Sequence, residues 1–261
     1  VPCWDEPDLK ATFEVHLLHR NATTALSNMP NITASYSVTA DQVLSALHVH
    51  PLRFEKPVLS NATWVRTDFE KTPPMSTYLL AFANGMLEHV DGSFLSSSRR
   101  PAIPIPLHAY ATPEYVSNTH HIVDVMKRVM PFYERVYSIA YPLPKLDMLI
   151  AKSFDSEAME NWGLITGRST TFLVDHAVSS SNAINTATRI VGHETAHMWF
   201  GDIATMAWWD DLWLNEAFAT YMGEVVSMSA VYPDTDWIGE FAHTELNRWL
   251  LYTSPSPQDT R

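Results

Sequence analysis

The segment "VGHETAHMWFGD", residues 191–202, contains two histidines four positions apart, with a glutamate directly after the first. On an α-helix, residues four apart differ in direction by about 40°, so His193 and His197 project from one face. Two imidazoles at that spacing can share one tetrahedral zinc ion, and Glu194 lies close enough to accept a proton from water beside the metal. The alternative is a pair of core histidines that share one side of a helix.

A third ligand separates these interpretations. Eighteen residues separate His197 from Glu216, which lies inside "DDLWLNEAFATYM", residues 210–222. Its neighbours are almost wholly apolar, and a carboxylate buried among them is costly unless a cation pairs with it. A second helix packed against the first would present Glu216 to the same ion. The other possibility is a capping or ion-pairing role at a helix surface, where most helical glutamates lie. The spacing favours a site for one Zn²⁺.

Composition sets the broad class of the protein. The 261 residues are 46% hydrophobic and 18% charged, which is typical of globular chains of one large or two ordinary domains. A net charge of −12 argues against nucleic-acid binding, and no run of 18 apolar residues indicates a membrane span. Cys3 is the only cysteine, so any metal must be held by His, Asp or Glu. Three Asn-x-Thr sequons leave a secretory route open: Asn21, Asn31 and Asn61.

The chain divides near "SSSRRPAIPIP", residues 96–106, which interrupts the pattern before it. Short runs with period-two alternation precede this segment and predict antiparallel β-sheet. They are "ATFEVHLL" (11–18), "ITASYSV" (32–38), "SALHVH" (45–50) and "STYLLAFANGML" (76–87). We therefore expect an α+β protein with a β domain at 1–103, a second domain at 104–250 and an unrelated tail at 251–261.

Helical periodicity dominates the second region. We predict helices over 113–137, where Pro131 kinks or divides the helix, over 182–200, ended by Gly201, and over 211–228, capped by Asp210 or Asp211. Shorter strand-like runs lie between the first two helices: "LDMLIAKSF" (146–154), "NWGLITG" (161–167) and "TTFLVD" (170–175). Trp199, Trp208, Trp209 and Trp213 are expected to form a packed wall between the zinc helices, with lining of the substrate groove as the alternative for one or two of them. Met86, Met126 and Met130 are expected to fill the core.

Several segments together resemble one known family. The segment "HETAHMWFGDIATMAWWDDLWLNEAFATY", residues 193–221, is similar to the zinc-binding region of the gluzincin aminopeptidases, the aminopeptidase N and puromycin-sensitive aminopeptidase type. Their signature is His-Glu-x-x-His, eighteen residues, then Glu. The resemblance runs from residue 1 to about 250 in the family's order, through these further segments: "PCWDEPDLKATFEV" (2–15), "ALSNM" (25–29), "TPPMSTYLLAFANG" (72–85), "YPLPKLDML" (141–149) and "SEAMENWGLITGRSTTFLVD" (156–175).

The resemblance implies a fold and a set of roles. The fold would be a saddle-like N-terminal β domain followed by a thermolysin-like zincin catalytic domain, both incomplete, so that the chain is a fragment of a longer enzyme. The ligands of the single Zn²⁺ would be His193, His197 and Glu216, with Glu194 as general base. The loop "AMEN" would bind substrate: Glu160 the free α-amino group, Ala158 and Met159 the peptide backbone, and Asn161 alongside them.

The implied activity is zinc-dependent hydrolysis of the N-terminal peptide bond of peptides that carry a free amine. One departure is Glu157, which stands where the family has glycine and is expected either to narrow the site or to anchor cationic peptides. Two other functions remain open: a zinc endopeptidase, and a zinc-stabilised fragment or binding module without turnover. The compartment is open between cytoplasmic and membrane-anchored extracellular, with "PCWDEP" (2–7) and the single cysteine favouring the cytoplasm.

Overall fold

The computed structural model describes residues 3–32, 36–39, 42 and 63–253. The predicted run 45–50 and the sequon at Asn61 lie outside these residues. The first strands described are β1 (His16–Arg20), β2 (Thr24–Ser27), β3 (Tyr36–Val38), β4 (Trp64–Asp68) and β5 (Phe82–Gly85). The later strands are β6 (Glu88–Ser96), β7 (Ile103–Ala111), β8 (Leu146–Ala151), β9 (Ala158–Met159) and β10 (Leu164–Arg168).

The first strands form two small antiparallel sheets. One has the order β1-β4-β3, in which both neighbours of β4 run antiparallel to it, and the other pairs β2 with β5. The antiparallel pairing expected from the alternating sequence pattern is therefore present here. Leu26, Val65 and Phe69 are buried beneath these sheets.

A mixed five-stranded sheet follows, in the order β6-β7-β8-β10-β9. Strands β7, β8 and β10 run parallel, while β6 and β9 are antiparallel edge strands. The segment 96–106, predicted to separate two domains, forms the turn of the β6–β7 hairpin and the start of β7. Residues 88–96 therefore belong to the same sheet as the strands that follow this turn.

Helices cover the remainder of the second region. They are α1 (His120–Tyr137), α2 (Ser169–Phe172), α3 (Ser181–His197), α4 (Leu212–Tyr221), a π-helical segment (Met222–Ser227), α5 (Met228–Val231) and α6 (Trp237–Thr253). Three short 3₁₀ turns occur at Thr77–Leu79, Val116–Thr119 and Trp209–Asp211. Among the described residues, none of the helices combines the length and apolar composition that a bilayer crossing requires.

The helices differ from the predicted ranges at their ends. The first begins at His120, because residues 116–119 form a 3₁₀ turn, and Pro131 neither divides nor ends it. Proline inside a helix costs about 3 kcal/mol, whereas each fully buried aliphatic side chain contributes about 1.5–3 kcal/mol. The seven apolar residues that α1 buries outweigh the proline: Ile122, Val123, Val125, Met126, Val129, Met130 and Tyr133.

Helix α3, the second of the three predicted helices, ends at His197, before the predicted limit of 200. Gly201 lies in the turn beyond it at φ +138°. Ser180 caps its start, since the Ser180 hydroxyl accepts from the Ala183 amide. Asp211 occupies the N-cap position of α4, but its side chain makes no capping hydrogen bond. Residues 212–231 continue helically through the π-helical segment.

Three other expectations are wrong. Met86 is 68% exposed, because it lies in the turn between edge strands, while Met126 and Met130 are fully buried as expected. Trp213 and Trp208 are exposed and do not form a wall between the zinc helices. The run 170–175, expected as a strand, begins with the helical turn α2 and continues as an irregular segment.

The core lies between the five-stranded sheet and helices α1 and α3. Helix α1 approaches β6 closely at Gly92, where an added Cβ would lie 2.3 Å from Val123 Cγ1. Helix α3 approaches the π-helical segment equally closely at Gly192, where an added Cβ would lie 2.4 Å from Ser227 Cβ. Helix α1 thus packs on the sheet, and α3, with its two motif histidines, packs against α1 and against the π-helical segment.

Candidate metal centre and active site

Three candidate ligands converge where α3 and α4 pack together. His193 Nε2 lies 3.1 Å from Glu216 Oε2 and 3.1 Å from His197 Nε2. His197 Nε2 lies 3.6 Å from the same oxygen of Glu216. In a tetrahedral zinc site with bonds near 2.0–2.1 Å, ligand atoms stand about 3.3 Å apart. The three donors therefore fit a single zinc ion.

The packing around the histidines fixes their orientation. His197 is buried, and its Nδ1 donates to the carbonyl oxygen of Phe200 at 3.0 Å, which leaves Nε2 directed at the site. The Thr220 hydroxyl lies 3.5 Å from His193 Nδ1. Metal-ligating histidines usually donate their second ring nitrogen to such an oxygen, which sets the tautomer. The contact from Phe200 and the proximity of Thr220 were not anticipated from the sequence, because neither residue type is distinctive in that role.

Glu216 is more exposed than its apolar sequence neighbours suggested. Its side chain is 46% exposed, and Trp213 and Leu214 beside it also face outward. The burial that its apolar neighbours indicated is therefore only partial for Glu216, whereas the neighbouring Asn215 is buried. Hydrogen bonding from His193 and His197 nevertheless lowers the pKa of Glu216 well below its ordinary value.

Two further carboxylates are buried beside the ligands. Glu160, Glu194 and His197 are all buried, and one ligand atom from each lies within 4.8 Å of the others. Burial raises the pKa of Glu194 to about 8, and the charges of Glu160, Glu216 and Glu157 add to the shift. Glu194 Oε2 accepts no hydrogen bond from the part of the chain that the structure describes.

The negative charge around His197 raises the pKa of its imidazole. Burial opposes protonation of His197, but its hydrogen bond to Glu216 and the charges of Glu160 and Glu194 raise its pKa to about 9. Four acidic groups around two histidines create a strongly negative potential. A divalent cation between the three donors would offset that potential, which agrees with the fit of the ligand atoms.

The "AMEN" residues flank this cluster on the sheet side. Ala158 and Met159 form β9, which among the described strands pairs with β10 alone, so that its other backbone edge is available for hydrogen bonding. Asn161 is buried: its Oδ1 accepts from the Thr166 hydroxyl at 3.0 Å, and its Nδ2 lies 3.5 Å from the Leu79 carbonyl. The Asn161 side chain therefore braces the loop that carries Glu160.

A cavity of about 220 Å³ opens next to the ligands. His193, Glu194 and Ala158 line one part of it, and the exposed Glu157 lines another. The remaining lining residues are Arg189, Ile190, Thr220 and Glu224. The cavity thus connects the candidate metal centre with the edge of β9.

Two residues near the site had no signal in the sequence. Tyr78 belongs to the N-terminal region, yet burial and the charges of Glu160, Asp202 and Glu216 raise its pKa far above the ordinary value. Asp202 is fully buried, and burial and the charge of Glu160 raise its pKa well above the usual range. Lys10 Nζ donates to the backbone carbonyls of Asp202 and Ile203 at 3.1 Å. Long-range packing alone brings these groups together.

Comparisons with known proteins find similar sequences over most of the chain. The peptidase family M1 domain matches residues 121–255, and the peptidase M1 N-terminal domain matches residues 1–46. Endoplasmic reticulum aminopeptidase 2 of Bos taurus is 36% identical over 243 residues, which are 93% of this chain and 22% of that protein. Aminopeptidase N of Bos taurus is 37% identical over 238 residues, 90% of this chain and 22% of that protein.

Human glutamyl aminopeptidase is 37% identical over 236 residues, 90% of this chain and 21% of its own length. The chain therefore spans about a fifth of the length of these relatives. The first family match covers more than half of the chain, and the matched stretch contains both motif histidines and Glu216. The chain belongs to peptidase family M1.

Proposed function

We propose that the protein is a zinc-dependent aminopeptidase, which hydrolyses the first peptide bond of peptides with a free amino terminus. The observation that carries this proposal is the convergence of His193 Nε2, His197 Nε2 and Glu216 Oε2 within 3.6 Å of one another, beside two buried carboxylates. The relatives named above are aminopeptidases, which supports the same reaction. We also propose that the two regions correspond to a saddle-like β domain and a thermolysin-like catalytic domain.

The three converging residues would hold the zinc ion. Bound zinc supplies Lewis acidity, which polarises a carbonyl and makes water a better nucleophile near neutral pH. His197 is suited to this role because the Phe200 carbonyl holds its ring in place. His193 and Glu216 come from different helices, so the α3–α4 packing sets the separation of the donors.

Glu194 acts as the general base in this mechanism. It follows the first histidine on α3, and its carboxylate lies within 4.8 Å of a ligand atom of His197. Glu194 accepts a proton from the attacking water as the new carbon–oxygen bond forms, and it delivers that proton to the leaving nitrogen as the peptide bond breaks. The overall reaction consumes one water and leaves Glu194 in its starting state.

Glu160 determines that cleavage occurs at the end of a peptide. A buried carboxylate forms a strong charge-assisted hydrogen bond with a cationic α-amino group. Because Glu160 stands at a fixed place beside Glu194 and His197, a bound amine brings only the first carbonyl to the reacting groups. An endopeptidase has no need of such a carboxylate at this position.

The free edge of β9 binds the substrate backbone. Ala158 and Met159 use one side of their strand to pair with β10, so their other backbone groups can bond an extended peptide. Asn161 positions this edge through its contacts with Thr166 and Leu79. The peptide would then extend toward the cavity that Glu157 and Arg189 line.

Two substitutions test the assignment with aminoacyl-anilide substrates and with N-acetylated peptides. Glu194→Gln should keep its zinc content and lose turnover by several orders of magnitude, while the matched change Glu224→Gln, in the same cavity, changes kcat by less than tenfold. Glu160→Gln should raise KM strongly for peptides with a free amine. Full activity of zinc-loaded Glu194→Gln, or rapid cleavage of N-acetylated peptides by the wild type, would contradict the proposal.

A further inference from the structure

We propose that His89, Asp91 and His108 form a second metal site, separate from the candidate catalytic centre, that binds a late first-row divalent ion of the Zn²⁺ type. One ligand atom from each residue lies within 4.8 Å of the others. The site lies on β6 and β7, at the edge of the five-stranded sheet opposite β9. It is therefore remote from the substrate edge of the sheet.

Strand register brings the three residues onto one face. His89 and Asp91 are two apart on β6, so their side chains project to the same side of the sheet. His108 on β7 is the direct cross-strand partner of Asp91. Gly92, the next residue on β6, faces Val123 of α1, so Asp91 points to the face away from that helix.

The distances fit one tetrahedral ion. His89 Nε2 lies 3.2 Å from Asp91 Oδ1, and His108 Nε2 lies 3.7 Å from the same oxygen. Zinc bonds of about 2.0–2.2 Å require ligand atoms about 3.3 Å apart. These two separations resemble those of the candidate catalytic centre, where the three donor distances are 3.1, 3.1 and 3.6 Å.

A buried network orients His108 as a ligand. Its Nδ1 donates to Asp147 Oδ1 at 2.7 Å, which directs the lone pair of Nε2 toward Asp91. Asp147 is buried and also accepts from Lys145 Nζ at 2.9 Å. Lys145 in turn donates to the carbonyl oxygens of Ser27 and Gly163, so this carboxylate cannot rotate freely. A carboxylate–histidine pair of this kind is the usual support of a histidine metal ligand.

The charge environment distinguishes this cluster from an ordinary surface ion pair. Asp68 also contacts a histidine, His16, but the Arg66 guanidinium lies 2.6 Å from Asp68 Oδ1 and neutralises it. Asp91 has only the two imidazoles as ion-pair partners among the described residues. A divalent cation would supply the missing positive charge.

The exposure of the three side chains and the chemical type of their donor atoms determine which ion this site would bind. The Asp91 side chain is 78% exposed and the His89 side chain 42%, so hydrated ions reach the donors directly. Two imidazoles and one carboxylate select Zn²⁺, Ni²⁺ or Cu²⁺ over Mg²⁺ and Ca²⁺, which prefer oxygen donors. Three protein ligands leave at least one position for water. Binding would tie the exposed edge strand β6 to β7.

Metal stoichiometry tests the proposal. Metal-free protein would be dialysed against rising concentrations of Zn²⁺ and its bound zinc measured by elemental analysis, with Co²⁺ absorption spectra recorded in parallel. We expect two ions per chain in the wild type and one in His89→Gln and in Asp91→Asn, whose exposed positions keep the fold intact. The matched variant His16→Gln should bind two ions. His193→Gln should bind one, at the β6–β7 site.

The outcomes separate the two proposals. If His89→Gln and Asp91→Asn bind as many ions as the wild type, the second site is overturned. If the wild type binds one ion and His193→Gln binds none, the second site is overturned and the catalytic assignment stands. If the wild type binds one ion that His193→Gln retains and His89→Gln loses, the second site stands and the catalytic assignment fails.

Discussion

The hydroxyl oxygen of Tyr133 lies 3.0 Å from the carbonyl oxygen of Gly192, the residue directly before His193. The same hydroxyl lies 3.0 Å from the carbonyl oxygen of Met222, where the π-helical segment begins. Burial raises the pKa of Tyr133 well above its usual value, so the group remains a proton donor. One side chain of α1 thus connects the helix of the zinc motif with the helical segment that follows Glu216.

We predict that Tyr133→Phe lowers the free energy of unfolding by about 1–2 kcal/mol, because a buried hydrogen bond is lost. Urea denaturation measures this change. Tyr137→Phe is the matched control, since the Tyr137 hydroxyl is buried without a hydrogen-bond partner in the described part of the chain. That variant should be neutral or slightly more stable. An equal decrease in the free energy of unfolding of both variants would show that the hydrogen bonds of the Tyr133 hydroxyl do not stabilise the fold.

We predict that Gly192→Ala destabilises the protein by roughly 1–3 kcal/mol, although alanine favours helices by up to about 1 kcal/mol over glycine. The added Cβ would lie 2.2 Å from Ser227 Oγ, which forces α3 away from the π-helical segment. Thermal unfolding measures the loss. In a Ser227→Gly background the same change should cost less, and an unchanged cost would contradict the steric explanation. Gly85→Ala, whose Cβ meets side-chain atoms only at 3.5 Å or beyond, is the control.

We predict that His121 makes stability fall as the pH decreases below about 6.5, the unperturbed pKa of histidine. Burial and the neighbouring His176 lower the pKa of His121 in the folded chain. Its Nε2 lies 2.8 Å from Thr188 Oγ1. Between the two pKa values the unfolded chain binds more protons, so stability present above pH 6.5 is lost as the pH falls toward the folded-state pKa.

Denaturant titrations of metal-free protein at pH 7.5 and 5.5 measure this dependence. His121→Gln should reduce the difference in stability between the two pH values. His120→Gln, at the exposed neighbouring position, should leave that difference unchanged. A wild-type pH dependence in His121→Gln would refute the assignment.

We predict that Glu157→Gly lowers the preference for Arg-ended over Leu-ended anilide substrates, if the proposed activity holds. Glu157 is exposed and lines the cavity beside His193 and Glu194. An exposed ion pair contributes at most about 1 kcal/mol, so the ratio of the two kcat/KM values should fall by up to about fivefold. Glu114→Gly, on an exposed loop, serves as the control. An unchanged ratio counts against a role for Glu157 in binding cationic residues.

Local periodicity accounts for what the sequence alone predicted about the candidate site. Residues four apart on any α-helix share a face, so the pairing of His193 with His197 needs no knowledge of the fold. The alternation of apolar and polar residues before residue 96 likewise predicted antiparallel strands, and β1 pairs with β4 and β2 with β5 in that way. The apolar neighbours of Glu216 did not indicate its exposure correctly, because Trp213 and Leu214 face outward.

Tertiary packing decided everything that depends on distance between chain segments. Nothing in the spacing of residues along the chain indicated that Asp147 would lie behind His108, because strand register sets that pairing. Helix α1 continues through Pro131 because burial of its apolar side chains contributes more free energy than the proline costs.

Residue type and local periodicity were sufficient to predict the helix that carries His193 and His197 and the presence of both strands and helices. The gathering of carboxylates around His197, and the common face of His89, Asp91 and His108, became visible only in the folded chain. The physical reason is that helix and strand periods act over a few residues, whereas the position of one segment against another depends on the packing of the whole core.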